Sequence, residues 1–273
     1  MSALALSPLA FGVTGPLASP AVSAARTREL VRTALAQGIT VFDTGPAYGH
    51  GRAERRLGEA LRGVREDRIC LMTKAGIHAG KQRDFSPGAI EMSLKESLER
   101  LKRKRVDILW LHGPAPDELT PALLRHLGAF KARGLFDVLG VCGRGAELDA
   151  AIEIDEITAL MAPVNSQLDA TALPRLERAK ARGMTVMGIE ALAGSVHQAR
   201  LSPRPADLWY LARRIKQGLT GTVPKQTGLT PEDALKWALD QPYCDAVVST
   251  TTNPVHLTAN ATLAGLEPEA SSA

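Results

Sequence analysis

The chain is poor in the features that mark several function classes. It holds three cysteines in 273 residues, Cys70, Cys142 and Cys244, with no CxxC pair. An odd count at wide spacing argues against a disulfide framework or a cysteine zinc site and predicts a reducing, cytoplasmic setting. Aromatic residues make up 4% of the chain, and none interleave with its densest basic run, Lys102-Arg103-Lys104-Arg105. Single-strand nucleic-acid surfaces combine aromatics with basic residues, so this run reads as the cationic end of a helix. No stretch approaches the ~20 apolar residues of a membrane span. The residues before Arg26 are uncharged but broken by Pro8, Gly12, Gly15, Pro16 and Pro20. They predict a leading strand and loop, not a secretory leader.

Chemical signatures are missing as well. There is no GxGxxG after the first strand, no GxSxG, and no HxH or HExxH among the six histidines. The run GIHAGKQ from Gly76 falls one residue short of a phosphate loop and lacks the following Ser or Thr. The expectation is therefore no metal, no serine hydrolase chemistry, and no nucleic-acid or membrane partner.

What is present is an ordered alternation of short apolar runs and longer helical stretches. Strands are predicted at Leu9–Val13, Ile39–Phe42, Ile69–Thr73, Val106–Leu111, Asp137–Val141, Ala159–Val164, Met184–Ile189 and Ala246–Ser249. Helices are predicted at Ser23–Gln37, Ala53–Leu61, Pro87–Leu101, Thr120–Arg133, Ala146–Ile152, Leu173–Arg182, Ala206–Gln217, Pro231–Asp240 and Pro254–Leu263, with an irregular segment at Ala191–Pro205. Strands alternating with helices imply a parallel sheet. Eight units without a composition break predict a single (β/α)₈ barrel over residues 1–273, with an open doubly wound sheet as the alternative.

A barrel of this kind carries its chemistry at the C-terminal ends of the strands. Four polar residues fall there: Asp43 after the second strand, Tyr48 in the loop beyond it, Lys74 ending the third and His112 ending the fourth. Each alone reads as a cap, a packing residue or a surface charge. Together they suit proton delivery to a carbonyl oxygen. A phenol of pKa near 10 is a poor donor unless a neighbouring ammonium lowers it. Lys74 can supply that charge, Asp43 can hold Lys74, and His112 can aim the substrate oxygen at Tyr48.

The run from Gly38 to Gly58, GITVFDTGPAYGHGRAERRLG, resembles the aldo-keto reductase signature, and Thr73-Lys74 and Val106–His112 resemble that family's lysine and histidine strands. The resemblance implies a catalytic group of Asp43, Tyr48, Lys74 and His112. It also implies NADP(H) or NAD(H) as cofactor and reduction of an aldehyde or ketone, or the reverse oxidation. By the same resemblance the cofactor contacts fall at Gly12, Asp43, Asn165, Leu192, Gly194, Thr250, Thr251, His256 and Asn260. The strand-five position reads Gly140-Val141-Cys142-Gly143, where the family commonly has Ser-Asn, and the aromatic often found on strand seven is Ile189. Thr250 and His256 stand where the family often presents cations to a 2′-phosphate, which predicts a weak preference for NADPH, under ~100-fold, or less than about 2.8 kcal/mol. A missing strand-one aromatic, a short N-terminal plug and a brief loop after His112 predict a wide substrate pocket. The partner is a small carbonyl compound, and the chain is expected to be a monomer or weak homo-oligomer. Two other readings remain: a non-catalytic NAD(P)H-sensing subunit, and a Schiff-base aldolase using Lys74.

Overall fold

The computed structural model describes residues 6–80, 82–195 and 226–268, with the isolated positions 209 and 219. Eight strands close into one parallel barrel in chain order: β1 Leu9–Gly12, β2 Val41–Asp43, β3 Cys70–Ala75, β4 Val106–His112, β5 Phe136–Cys142, β6 Ala159–Pro163, β7 Thr185–Ile189 and β8 Ala246–Ser249. The helices between them are α1 Ala24–Ala36, α2 Arg52–Ala60, α3 Pro87–Leu101, α4 Pro121–Ala132, α5 Ala146–Ile152, α6 Ala172–Ala181, α7 Pro231–Leu239 and α8 Pro254–Leu263. The helix expected at 206–217 lies, apart from position 209, outside the described residues.

Helix starts follow from local side-chain chemistry. Ser23, Thr120 and Thr230 each accept a hydrogen bond from a first-turn amide of α1, α4 and α7, at 3.1 Å in each case. Asn253 does the same for α8 at 3.0 Å. Such caps satisfy backbone donors that the helix itself leaves open. The strands read as near-continuous apolar runs because both faces are covered. Their odd and even positions part into two cores. Outward side chains such as Leu9, Phe42, Leu109, Leu139, Leu160 and Val186 pack against the helices. Inward ones, among them Ala10, Val41, Met72, Ile108, Trp110, Val138, Met161 and Met187, fill the barrel.

The same alternation fixes the rim. Two residues beyond an inward core position lies another inward one, so Val41 is followed by Asp43, Met72 by Lys74, and Trp110 by His112. The parallel register sets Lys74 beside Trp110 and His112 beside Cys142 on adjacent strands. The polar side chains that end β2, β3 and β4 therefore sit side by side directly above an apolar plug.

Candidate active site

Asp43 and Lys74 form the floor of the site. The Lys74 Nζ donates to both Asp43 carboxylate oxygens at 2.6 Å and to the Thr44 carbonyl at 2.9 Å. Those bonds use all three ammonium protons. The two side chains are only 2–3% exposed. Burial opposes the charge on Lys74, but Asp43 and the groups around it outweigh that penalty and hold the amine above its ordinary pKa. Burial pushes the Asp43 carboxyl upward against the pull of Lys74. Two short bonds from one ammonium nonetheless define an ion pair.

Tyr48 is brought over this pair by a tight loop. Gly51 N–H donates to the Pro46 carbonyl at 2.8 Å and Tyr48 N–H to that of Gly45 at 3.2 Å. Gly49 has φ +63°, and a Cβ there would lie 2.0 Å from the Ala18 carbonyl oxygen, so only glycine fits. A Cβ on Gly45 would lie 3.3 Å from both Lys74 Cβ and Tyr48 Cε2, which shows how closely these two side chains converge. The Lys74 Nζ sits 5.1 Å from the Tyr48 ring centroid. From the sequence, Lys74 is expected to lower the phenol pKa. In the structure burial is the larger influence and moves it upward, with Lys74 pulling the other way. The phenol is thus protonated through the neutral range.

His112 completes the group. Its ring centroid lies 6.0 Å from that of Tyr48, at an interplanar angle of 63°. Burial, and then the charges of Lys74 and Arg144, push its pKa down to about 3, so the imidazole is neutral. Its Nδ1 is buried without a hydrogen-bond partner among the described residues.

A second network, not recognised in the sequence, braces this one from behind. The Thr73 hydroxyl donates to Glu54 Oε1 at 2.6 Å, and Arg100 Nε donates to Glu54 Oε2 at 2.6 Å. Glu54 is fully buried. It joins α2, β3 and α3, and so fixes the strand that carries Lys74. An acid at the third position of α2, inside the GRAE run, was the available signal.

The expected cofactor residues other than Asp43 fall in three places. Gly12, Thr250, Thr251, His256 and Asn260 gather at the β1, β8 and α8 edge. The Thr250 hydroxyl donates to the Gly12 carbonyl at 2.9 Å and lies 3.2 Å from that of Thr14. Thr251 accepts from the Asn253 amide at 3.1 Å, and Asn260 Nδ2 donates to Ser249 Oγ at 3.2 Å. His256 is exposed on the first turn of α8. Beyond β7, the Gly194 carbonyl accepts from Thr227 N–H at 3.1 Å and that of Leu192 from the Ser195 hydroxyl at 3.0 Å. Asn165 stands apart. β6 ends at Pro163, and Asn165 Oδ1 accepts from the Gln167 amide at 2.9 Å, in a cavity between α5 and α6. The inward residues at the ends of β5, β6 and β7 are instead Cys142, Met161 and Ile189.

Arg26 was missed in the sequence. It projects from α1 to the loop before α8, where its Nε and Nη2 donate to the Thr252 carbonyl at 3.2 and 3.1 Å. Its Nη1 donates to Glu29 at 2.7 Å, so an arginine shared with one carboxylate stands beside the hydroxyls and helix N-terminus of this edge, supplied by an element far away in sequence.

A closed eight-stranded barrel carrying this group at its rim matches a known family. The Aldo/keto reductase family model covers residues 8–269. The chain belongs to the aldo/keto reductase family. Its relatives include D-threo-aldose 1-dehydrogenase of a Pseudomonas species, 28% identical across 84% of this chain and 80% of that protein. They also include a 6-dehydroglucose reductase of Novosphingobium aromaticivorans, 31% identical across 71% of this chain and 67% of that one. The holo form of aldo-keto reductase AKR11C1 from Bacillus halodurans shares the family fold, with a TM-score of 0.76 at 23% identity over 97% of this chain and 89% of that one. Among the described residues, no helix is long and apolar enough to cross a membrane.

Proposed function

We propose that the chain is an NAD(P)H-dependent oxidoreductase that interconverts a sugar-like aldehyde or ketone and its alcohol, with Asp43, Tyr48, Lys74 and His112 as the catalytic group. The observation that carries this reading is the buried Lys74–Asp43 pair, with both carboxylate oxygens at 2.6 Å from Nζ, set against Tyr48 and His112 at one rim. The substrate class follows its relatives, whose names refer to D-threo-aldose and 6-dehydroglucose.

The residues divide the work of carbonyl reduction. When bound, the nicotinamide supplies the hydride. Tyr48 gives its phenolic proton to the carbonyl oxygen as negative charge develops there. Lys74 stabilises the phenolate left behind, and Asp43 keeps Lys74 charged and fixed. Neutral His112 offers a ring N–H to the same oxygen and orients it. General acid help of this kind is typically worth ~10²–10⁴ in rate. In the oxidative direction the phenolate takes the proton back.

The donor set fits a dinucleotide phosphate. The N-terminus of α8 and the Arg26 guanidinium share one edge and suit phosphate oxygens, while the Thr250 and Thr251 hydroxyls beside them donate to the Gly12 and Asn253 carbonyls and would have to turn to reach a phosphate. Cys142, Met161 and Ile189 would give the ring an apolar wall. That wall lacks side-chain donors for a carboxamide, the one feature that favours the non-catalytic sensor reading. The aldolase reading is disfavoured, because a Schiff-base lysine needs a lowered pKa and Lys74 is held above its ordinary value. Three free cysteines suit a cytoplasmic setting, and a monomer or weak homo-oligomer is the expected state.

Titration with NADH and with NADPH by fluorescence quenching, followed by steady-state oxidation with a panel of aldehydes and ketones, tests the proposal. Turnover of short and sugar-like carbonyls supports it. Tight cofactor binding with no turnover across the panel would assign the sensor role instead.

A further inference from the structure

A cavity of about 200 Å³ opens beside the rim, over the end of β6 and between α5 and α6. Its wall alternates chemistry in a specific way. Arg144, Asn165, Gln167, Asp169 and Arg175 present polar groups, while Leu148, Leu168 and Leu176 form apolar patches. Arg144 lies two residues beyond Cys142, which stands beside His112 on the adjacent strand, so the cavity begins next to the proposed reaction centre.

Arg175 is the telling residue. Its side chain is 9% exposed. Nη2 donates to Asp149 at 2.7 Å and Nη1 to the Arg144 carbonyl at 3.4 Å, yet Nε is buried with no hydrogen-bond partner among the described residues. A buried charged group that keeps one donor unused is costly unless a ligand or water takes it. The Oδ2 of Asp169 supplies the complementary acceptor. The Thr171 amide, the Thr171 hydroxyl and the Ala172 amide all donate to its Oδ1, at 2.8, 2.6 and 2.9 Å.

Charge decides what kind of molecule fits. Arg144 is paired with Glu190 and Arg175 with Asp149. Arg144, Arg175 and Asp169 are the charged residues that line the cavity. With both arginines already paired, an anion entering here would meet compensated charge. A neutral ligand with closely spaced donors and acceptors and apolar C–H faces meets a match for each.

We infer that this cavity is a subsite for the neutral polyhydroxyl portion of the substrate, with Arg175, Asn165 and Asp169 as its hydrogen-bonding groups. The inference rests on the proposed carbonyl oxidoreductase activity and narrows its substrate to uncharged sugars long enough to reach from the rim into the cavity. Arg175 serves binding and not the chemical step.

Two arms keep the inference and that activity separable. The first is calorimetric binding of sorbitol, sorbitol 6-phosphate and gluconate, which requires no turnover. The second is the ratio of kcat/KM for a hexose to that for glyceraldehyde, in the native chain and in the Ala172→Phe and Arg175→Met variants. Ala172→Phe fills the cavity from the start of α6 and covers the case in which Arg175→Met fails to fold. The expected result is sorbitol binding at least tenfold tighter than either anion, and a tenfold or greater fall in the ratio, carried mainly by hexose KM, in both variants. Equal losses for hexose and glyceraldehyde, or tighter binding of the anions, would overturn the polyol subsite. Glyceraldehyde turnover without sorbitol binding would overturn it while leaving the oxidoreductase reading intact. Sorbitol binding lost in Ala172→Phe, with no carbonyl turned over by the native chain, would support the subsite and remove the activity instead.

Discussion

Replacing Asp43 by Ala isolates the Lys74–Asp43 pair. Both side chains are 2–3% exposed, and the carboxylate accepts two 2.6 Å bonds from Nζ. Truncation leaves a buried ammonium with only the Thr44 carbonyl, 2.9 Å away. Breaking a buried pair from one side typically costs about 3–5 kcal/mol, a large share of the ~5–15 kcal/mol that holds a domain together. Burial then acts on Lys74 without its counter-charge and drives the amine toward the neutral form. Activity should fall with stability, because an uncharged amine no longer stabilises a phenolate. Urea unfolding followed by circular dichroism measures the first effect. The double variant Asp43→Leu with Lys74→Met separates the two effects. Replacing both partners with apolar side chains is often close to neutral for stability, so the midpoint should recover by more than half while turnover stays absent. A single-variant cost below ~1 kcal/mol would refute the argument, since surface ion pairs behave that way and desolvated ones do not.

Further predictions follow from other parts of the structure. Removing Glu54 by mutation to Ala leaves the Thr73 hydroxyl without its acceptor and Arg100 with only Glu96 and Ser97, each at 3.1 Å, so a loss of about 1–3 kcal/mol is expected in chemical denaturation. Gly140→Ala puts a Cβ 2.3 Å from Trp110 Cζ3. Overpacking of that kind costs about 1–3 kcal/mol, and a Trp110→Leu change in the same chain should restore part of the melting temperature. Because the folded His112 resists protonation down to about pH 3 while the unfolded residue accepts a proton near pH 6.5, the unfolded state binds more protons between those values. Stability should therefore decline by a few kcal/mol as pH falls through that window, and a His112→Leu variant should show a shallower decline. Arg26→Ala should lower the NADPH-to-NADH preference about tenfold, the size of one charge-assisted phosphate contact. An unchanged ratio of the two cofactor Kd values would remove Arg26 from the site.

The parts of this molecule legible in its sequence are those set by local periodicity. The bounds Pro87–Leu101, Ala146–Ile152, Ala246–Ser249 and Pro254–Leu263 match the structure because caps, prolines and apolar spacing all act within a few residues. The convergence of Asp43, Tyr48, Lys74 and His112 was legible for a related reason: each lies at or just beyond the end of its strand, and a closed barrel brings such ends to one rim. Less legible were effects that depend on distance in three dimensions. The phenol of Tyr48 moves up in pKa, not down, because the enclosure around it outweighs Lys74. Arg26 reaches Thr252 across 226 residues of chain, a contact that no spacing rule reveals. Asn165 follows its strand by only two residues, yet it turns into the cavity between α5 and α6 because Gln167 N–H holds its side chain there.

The most direct test is single-turnover oxidation of NADH and NADPH by glyceraldehyde in the native chain and in Tyr48→Phe. Removing one hydroxyl should slow the chemical step by ~10²–10⁴-fold and leave both cofactor affinities within twofold. A Tyr48→Phe chain that transfers hydride at the native rate would show that the proton comes from elsewhere, and the catalytic assignment built on Lys74 and Asp43 would fail with it.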